Sequence, residues 1–348
     1  MLTRVLIIVA CILLLQIALQ LLCLWLDGLK FRAPGTLLHL PGRVVHVHQL
    51  GSGSPAVVLE AGIAASSLSW SVLQPQLAAV STTFSYDRAG LGWSTSTVKP
   101  CNLSGMAEEL HEWIDALRVP RPYILVGHSY AAYILRVYAC RFPDELAGII
   151  LVDPLTPEEW FKPRRWQRSR VWRAVWLSRA GAALSALGVL RFCLWLLQRG
   201  NKAVPRRVLG SFGPAARETV ERILGELAKL PQETVRLIRE RWGHPKFFLT
   251  MARYIQTLPV CAAEVAGCDV PRNIPVTVIS GAHQPPVRMA EHRAITAHSS
   301  RGRHIVADKS AHWVHLDQPE LIVEACQEMM AGIKDGGRLH FPMNAASD

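Results

Sequence analysis

Apolar and polar positions along the chain change period several times, and each change predicts an element. Val5 to Leu26 is apolar for about 22 residues, broken only by Gln16 and Gln20, which is the length a helix needs to cross a bilayer core. His39 to Leu50 alternates, predicting an edge hairpin; Ala56–Glu60 and Thr82–Asp87 are short apolar runs of buried-strand type. Leu103 to Leu117 has the spacing of an amphipathic helix. Tyr123 to Val126 then reads as a strand, Ala131 to Tyr138 as a helix, and Leu146 to Val152 as a further strand that stops at Asp153-Pro154. No strand pattern returns until Pro275–Ser280, and the interval reads as helices throughout. Gly302–Ala307 and Leu321–Met330 supply a last strand and a last helix. Strands alternating with helices predict an α/β domain with a mostly parallel sheet.

The period changes most abruptly around Gly127-His128-Ser129-Tyr130-Ala131, where strand passes to helix in very few residues. Such a bend needs small neighbours and lifts Ser129 to the tip of the turn, beside the outward-pointing N–H groups of a helix N-terminus. The plainer alternative is a serine in an ordinary strand–helix turn.

Composition changes this picture in two places. The N-terminal apolar stretch exceeds the ~7–15 residues of a secretory leader and lacks a small-residue cleavage site, so an uncleaved membrane anchor is the expectation. Basic residues flank both of its ends (Arg4; Lys30 and Arg32), and its orientation stays open. The net charge of +11 is concentrated: from Trp160 to Arg217 there are 13 Lys and Arg and no Asp or Glu, so the remainder carries slightly more acid than base. Within that segment Trp172 and Trp176 stand among arginines. An interfacial helix on an anionic membrane and a lid core with a solvated arginine face both fit; a second single crossing does not, because it would separate Ser129 from the later blocks. No nucleic-acid-binding motif accompanies the arginines. Eight cysteines show neither zinc spacing nor a dense disulfide framework; most read as reduced core residues, with Cys261 and Cys268 able to pair in an oxidising space. His46 and His48 lie two apart without a third ligand nearby and read as polar strand positions. Asp87 and Arg88, before a glycine-rich turn, read as structural.

Five blocks, PAVVLEAG, SYDRAGLGWS, YILVGHS, ALRVYACRFPDELAGIILVDP and SAHWVHLDQPELIVEA, resemble in order and spacing the single-domain α/β-hydrolases of the esterase type found in many bacteria. The resemblance covers most of Arg43–Asp153 and Pro275–Gly332. In that family the serine turn is the nucleophile elbow, GxSxG; here Ala131 replaces the final glycine. The resemblance implies an α/β-hydrolase fold with a helical lid inserted after strand 6, to which the apolar run of Val5–Leu26 adds an expected N-terminal transmembrane helix. The expected organisation is 1–32 anchor and linker, 33–153 first part of the core, 154–272 lid, 273–334 second part of the core, and 335–348 tail. It further implies Ser129 as nucleophile, His312 as general base, the backbone N–H groups of Ile63 and Tyr130 as oxyanion donors, and no cofactor or metal. Where the family commonly carries its acid, after the strand Val276–Ser280, Gln284 stands instead. Asp153, at the end of the neighbouring strand, is the preferred acid, ahead of a site with no acid partner and of Asp317. The expected activity is hydrolysis of a small or lipid-like ester near a membrane contacted by the N-terminal helix and the basic lid. Amide hydrolysis and a catalytically silent, membrane-attached binding module are the rivals.

Overall fold

The computed structural model describes residues 1–97, 99–160, 165–199, 204, 207 and 225–334. Helix α1 (Leu2–Lys30) leads to strands β1 (Thr36–Leu40), β2 (Arg43–Leu50) and β3 (Val57–Glu60), then a short helix α2 (Gln74–Ala78) and β4 (Thr83–Tyr86). Helix α3 (Leu103–Ala116), β5 (Tyr123–His128), α4 (Ala131–Arg141) and β6 (Leu146–Val152) follow. Four helices occupy the described part of the next interval: α5 (Arg165–Ala186), α6 (Val189–Gln198), α7 (Gln232–Trp242) and α8 (Pro245–Ala266). The chain closes with β7 (Val276–Gly281), α9 (Pro286–His298), β8 (Gly302–Ala307), α10 (Val314–Asp317) and α11 (Pro319–Lys334). Part of the expected 154–272 lid and the expected 335–348 tail lie outside the described residues.

The eight strands form one sheet in the order β1-β2-β4-β3-β5-β6-β7-β8. Only β2 runs against the rest, as the alternating hairpin pattern required: β1 pairs with β2, and β2 with β4, antiparallel, which returns β1 to the common direction. From β4 through β8 every pairing is parallel, so the C-terminal ends of β3 to β8 share one rim. Strands buried on both faces read as continuous apolar runs, and β5 and β6 do. On one face, Leu110, Trp113, Ile134, Tyr138 and Cys261 of α3, α4 and α8 pack on Leu125, Ile149 and Val278. On the other, Trp70, Leu73, Leu77 and the α11 residues Ile322, Cys326 and Met329 pack on Val57, Ile124 and Ile150. Each such fully buried side chain contributes about 1.5–3 kcal/mol of transfer free energy.

Two buried ion pairs lie beneath the rim. His46 pairs through Nδ1 with Asp87 Oδ2 at 2.8 Å, and Asp87 also accepts the backbone N–H groups of Ser67 and Trp93 at 2.8 and 2.9 Å. Burial opposes the charged imidazole, yet the Asp87 carboxylate outweighs it and raises the His46 pKa; burial likewise opposes the Asp87 charge, and His46 with the two backbone donors lowers its pKa overall. Thus the expectation for His46 changes from a polar strand position to the buried partner of Asp87, while Asp87 keeps the structural place read from its turn. Arg88 pairs with Glu60 and donates to the carbonyls of Ala61 and Gly62, fixing the loop after β3.

The cysteine expectation needs correction. Cys268 is joined in a disulfide to Cys140, not to Cys261. Cys261 lies on α8 facing the core, where the Tyr130 hydroxyl donates to its sulfur at 3.4 Å. Cys268 comes just after α8 has ended, where the chain crosses the C-terminal part of α4.

Candidate active site

Ser129 follows β5 with φ of 56°, a left-handed conformation that costs a non-glycine residue about 1 kcal/mol or more. It is held there from both sides: its N–H donates to Val152 O at 2.9 Å, and its carbonyl accepts from Leu155 N at 3.1 Å and Ala132 N at 3.1 Å. Gly127 permits the approach of α4 to β5. A Cβ on Gly127 would stand 2.6 Å from Leu135 Cδ1 and 3.0 Å from Ala131 Cβ. Ala131 is therefore accommodated by the missing side chain at Gly127, and the departure from a final glycine is absorbed locally.

Asp153, the residue after β6, is also left-handed (φ 42°) and buried. Its N–H donates to Ile279 O at 2.7 Å, tying it to β7. Its carboxylate accepts three hydrogen bonds from chain segments far away in sequence: Gly281 N to Oδ1 at 3.0 Å, Gln284 Nε2 to Oδ2 at 2.8 Å, and His312 Nδ1 to Oδ2 at 2.5 Å. A carboxylate so placed fixes the imidazole tautomer: Nδ1 carries the proton and Nε2 keeps its lone pair. The loop that carries His312 lies directly against β7. Ala282 N donates to Ser310 O at 2.8 Å, and a Cβ on Gly281 would stand 1.4 Å from Ala311 O, so only glycine allows this approach.

A second contact links that loop to the serine turn. His128, immediately before Ser129, donates from Nε2 to the backbone carbonyl of His312 at 2.8 Å, and the two imidazole rings lie 4.6 Å apart between centroids. Burial, reinforced by the neighbouring His312, pushes the His128 pKa down to about 3, so it is a neutral positioning group at ordinary pH. His315 is buried with neither ring nitrogen bonded, its pKa depressed well below the usual range by burial and then by His128 and His312. Asp317, the other candidate acid, accepts from Lys229 at 2.5 Å and Ser310 at 2.9 Å, and His304 bonds to Ser280 at 2.7 Å.

Ile63 and Tyr130 flank the serine turn. Among the described residues, neither backbone N–H donates to a protein acceptor. Ile63 lies in the loop that Arg88 holds through Ala61 O and Gly62 O, and a Cβ on Gly62 would come within 3.2 Å of His128 Nδ1. The loop is thus pressed against the residue preceding Ser129.

Gln284 is the residue whose place the sequence did not reveal. Its amide nitrogen donates to Asp153 while its oxygen accepts from Arg288 Nη1 at 2.8 Å, and Arg288 in turn pairs with Glu159 at 2.6 Å. An amide fits between a carboxylate and a guanidinium because it both donates and accepts. The signal was available only as an i, i+4 spacing of Gln284 and Arg288 at the start of α9.

The helices between β6 and β7 cover part of the rim. Val235 and Ile238 of α7 pack with Leu68, Trp93 and Leu316, which follow β3, β4 and β8. Helix α8 is bonded to the core: Tyr254 donates to Ala89 O at 3.1 Å, Lys246 to Ser94 O at 2.8 Å, and Glu264 caps α3 through Leu103 N and Ser104 N at 2.9 and 2.8 Å.

The strand order and the residues gathered on this rim define a class. The chain matches the α/β hydrolase fold family over residues 55–319 and belongs to it. It is 35% identical over 107 residues to the uncharacterized protein YqjL of Bacillus subtilis, covering 31% of this chain and 42% of that one. It is 28% identical over 151 residues to the human (lyso)-N-acylphosphatidylethanolamine lipase, covering 42% and 39%. The chain thus spans less than half the length of these curated relatives. Among solved structures, a putative epoxide hydrolase from Pseudomonas aeruginosa aligns with a TM-score of 0.61 at 18% identity, over 87% of this chain and 97% of that one. A thermophilic esterase from Thermogutta terrifontis aligns with a TM-score of 0.54 at 18% identity, over 87% and 99%. At that identity the structural likeness concerns the fold alone.

Proposed function

We propose that this protein is a serine hydrolase that cleaves a carboxylic ester with an apolar portion through an acyl-enzyme. The observation that carries the reading is the His312 Nδ1 to Asp153 Oδ2 hydrogen bond, with His312 also tied by its carbonyl to the residue before a left-handed Ser129. In this reading His312 Nε2 takes the proton of Ser129 Oγ as that oxygen bonds to the ester carbonyl carbon. The N–H groups of Ile63 and Tyr130, which have no protein acceptor among the described residues, stabilise the oxyanion. Collapse of the tetrahedral intermediate breaks the C–O bond, and the imidazolium returns its proton to the departing alcohol. Water then attacks the acyl-enzyme, gives its proton to His312, and Ser129 leaves with that proton restored. Asp153 stabilises the imidazolium throughout. Ser129, His312 and Asp153 form the proposed triad, residues 154–272 the proposed lid, and α1 the proposed membrane anchor.

An ester is favoured by the named activity of the human lipase relative. The test is a panel of p-nitrophenyl esters of increasing acyl length, set beside matching anilides, with wild type and Ser129→Ala. The expected result is Ser129-dependent turnover of esters that improves with chain length. Turnover of anilides at equal or higher kcat/KM would move the reading to an amidase, and no Ser129-dependent turnover of either would overturn it.

A further inference from the structure

The N-terminal helix buries the wrong kind of residue for a soluble packing helix. Leu19, Leu21 and Leu22 are each more than half exposed, whereas Gln20 between them is 4% exposed. Its amide donates from Nε2 to Gly243 O at 3.0 Å and accepts from Arg191 Nε at 2.9 Å. Arg191 also pairs with Asp27 at 2.5 Å, and Ser185 donates to the same Gly243 carbonyl at 2.6 Å. One polar cluster therefore joins the C-terminal third of α1 to the corner between α5 and α6, where the two helices meet at 86°.

The depth of that corner follows from length. The 28 apolar-rich residues Thr3–Lys30 extend about 42 Å as a helix, against about 30 Å of bilayer hydrocarbon, so an upright helix has roughly eight residues to spare. Gln20 to Lys30 contains the helix's one acidic residue, Asp27, and the Gln20 and Asp27 bonds to the rest of the protein, which puts the projecting part at this end. The corner bonded to it then lies at headgroup level. Its α6 segment exposes Phe192 (53%) and Trp195 (42%), stacked at 5.8 Å, with the Arg199 guanidinium 4.1 Å from the Trp195 ring. Aromatic rings paired with arginine are suited to the boundary between hydrocarbon and anionic headgroups. Arg168, Arg173 and Arg179 of α5 are exposed and neither α5 nor α6 carries an Asp or Glu, which supplies the matching charge.

We propose that the α5–α6 corner is itself a membrane-contacting element, seated through Phe192 and Trp195 in the headgroup layer of the bilayer that α1 enters and held at that depth by the Gln20–Arg191–Asp27 cluster. The proposal rests on the reading of α1 as an anchor and is independent of the hydrolytic chemistry. In this arrangement the helices over the active-site rim rest on the lipid surface, and the substrate class extends to esters delivered from that surface.

The test uses the full chain, labelled with 5-fluorotryptophan, in lipid nanodiscs containing roughly one-third anionic lipid. The Trp195 resonance is assigned by its loss in Trp195→Phe. Doxyl groups near the glycerol level should broaden it several-fold more than a soluble gadolinium chelate does. Arg191→Gln should reduce the doxyl effect while the chain stays resistant to carbonate extraction from vesicles. Retention in the membrane with Trp195 broadened mainly by the chelate would overturn the corner proposal and leave the anchor. Protection of Trp195 from both agents would replace lipid by a protein partner on this face. Extraction of wild type by carbonate would remove the anchor and the corner together, without touching Ser129-dependent turnover.

Discussion

The rim at the strand ends and the corner bonded to α1 manage their polar groups in opposite ways. On the rim, Asp153 receives three hydrogen bonds, Arg88 reaches one carboxylate and two carbonyls, and Ser129 and Asp153 are held in unfavourable backbone conformations by bonds from neighbouring strands. At the corner a few polar bonds join α1 to α6, while large apolar side chains on both are left in the open. Saturated bonding and strain serve to fix atoms to within fractions of an ångström, as a reaction requires. Exposed aromatic area fixes nothing by itself and marks a surface suited to contact.

The sharpest way to break this contrast is to remove charge from the fixed side. Asp153→Asn should lower kcat/KM on a p-nitrophenyl ester by a factor on the order of 10³ or more, because an amide cannot stabilise the imidazolium. Asp317→Asn, which sits in a separate Lys229–Ser310 contact, should leave it within about threefold. Near-normal turnover by Asp153→Asn would remove it from the proposed triad. Gly281→Ala tests the backbone rather than the charge. Its Cβ would collide with the Ala311 carbonyl, so the loop carrying His312 must shift, with a loss of about 2–3 kcal/mol in stability and about 100-fold or more in activity. Unchanged melting and turnover would show that the two segments are not in contact.

A smaller effect is expected at Gln284. Gln284→Leu removes a hydrogen bond to a carboxylate that keeps two others, which corresponds to about a tenfold loss of kcat with little change in KM. Gln284→Glu should cost more than the leucine, since it places a second carboxylate against Asp153; a gain of activity would instead show that the acid of the triad belongs at 284.

The smallest effect concerns stability alone. The His46–Asp87 pair contributes fully between the ordinary values of its members, 3.8 and 6.5. His46 has a raised pKa when folded, so its stabilisation is present below 6.5 and is lost as pH rises through that raised value. Asp87 has a lowered one, so its stabilisation is present above 3.8 and is lost as pH falls through the lowered value. Denaturant midpoints should therefore fall on both sides of this window, and a His46→Gln variant should lose the alkaline decline. An identical alkaline decline in the variant would place its origin elsewhere.

How much of this was legible in the chain depended on the reach of each signal. The strand–helix switch at Ser129 was readable because its cause is local: Gly127, the serine and Ala131 lie within five residues. The edge hairpin, the buried strands and the interval of helices were readable for the same reason. Gln284 appeared as a defect in a motif because its partner, Asp153, is 131 residues away, just past the end of β6. The Cys140–Cys268 bridge spans 128 residues, whereas the nearer Cys261 presents its sulfur to Tyr130. Gln20 read as a mere interruption of an apolar run, since nothing in a helical pattern announces an arginine 171 positions later. Sequence period reports the face that a residue occupies; it does not report which distant group shares that face.

The most direct measurement of the central claim is covalent. A fluorophosphonate probe should attach to a single peptide of the folded wild-type protein, with the adduct on Ser129, and labelling should fall to background in His312→Ala, whose serine is intact but without its proton acceptor. A well-folded wild-type protein that takes up no probe, or one labelled equally with and without His312, would contradict the account.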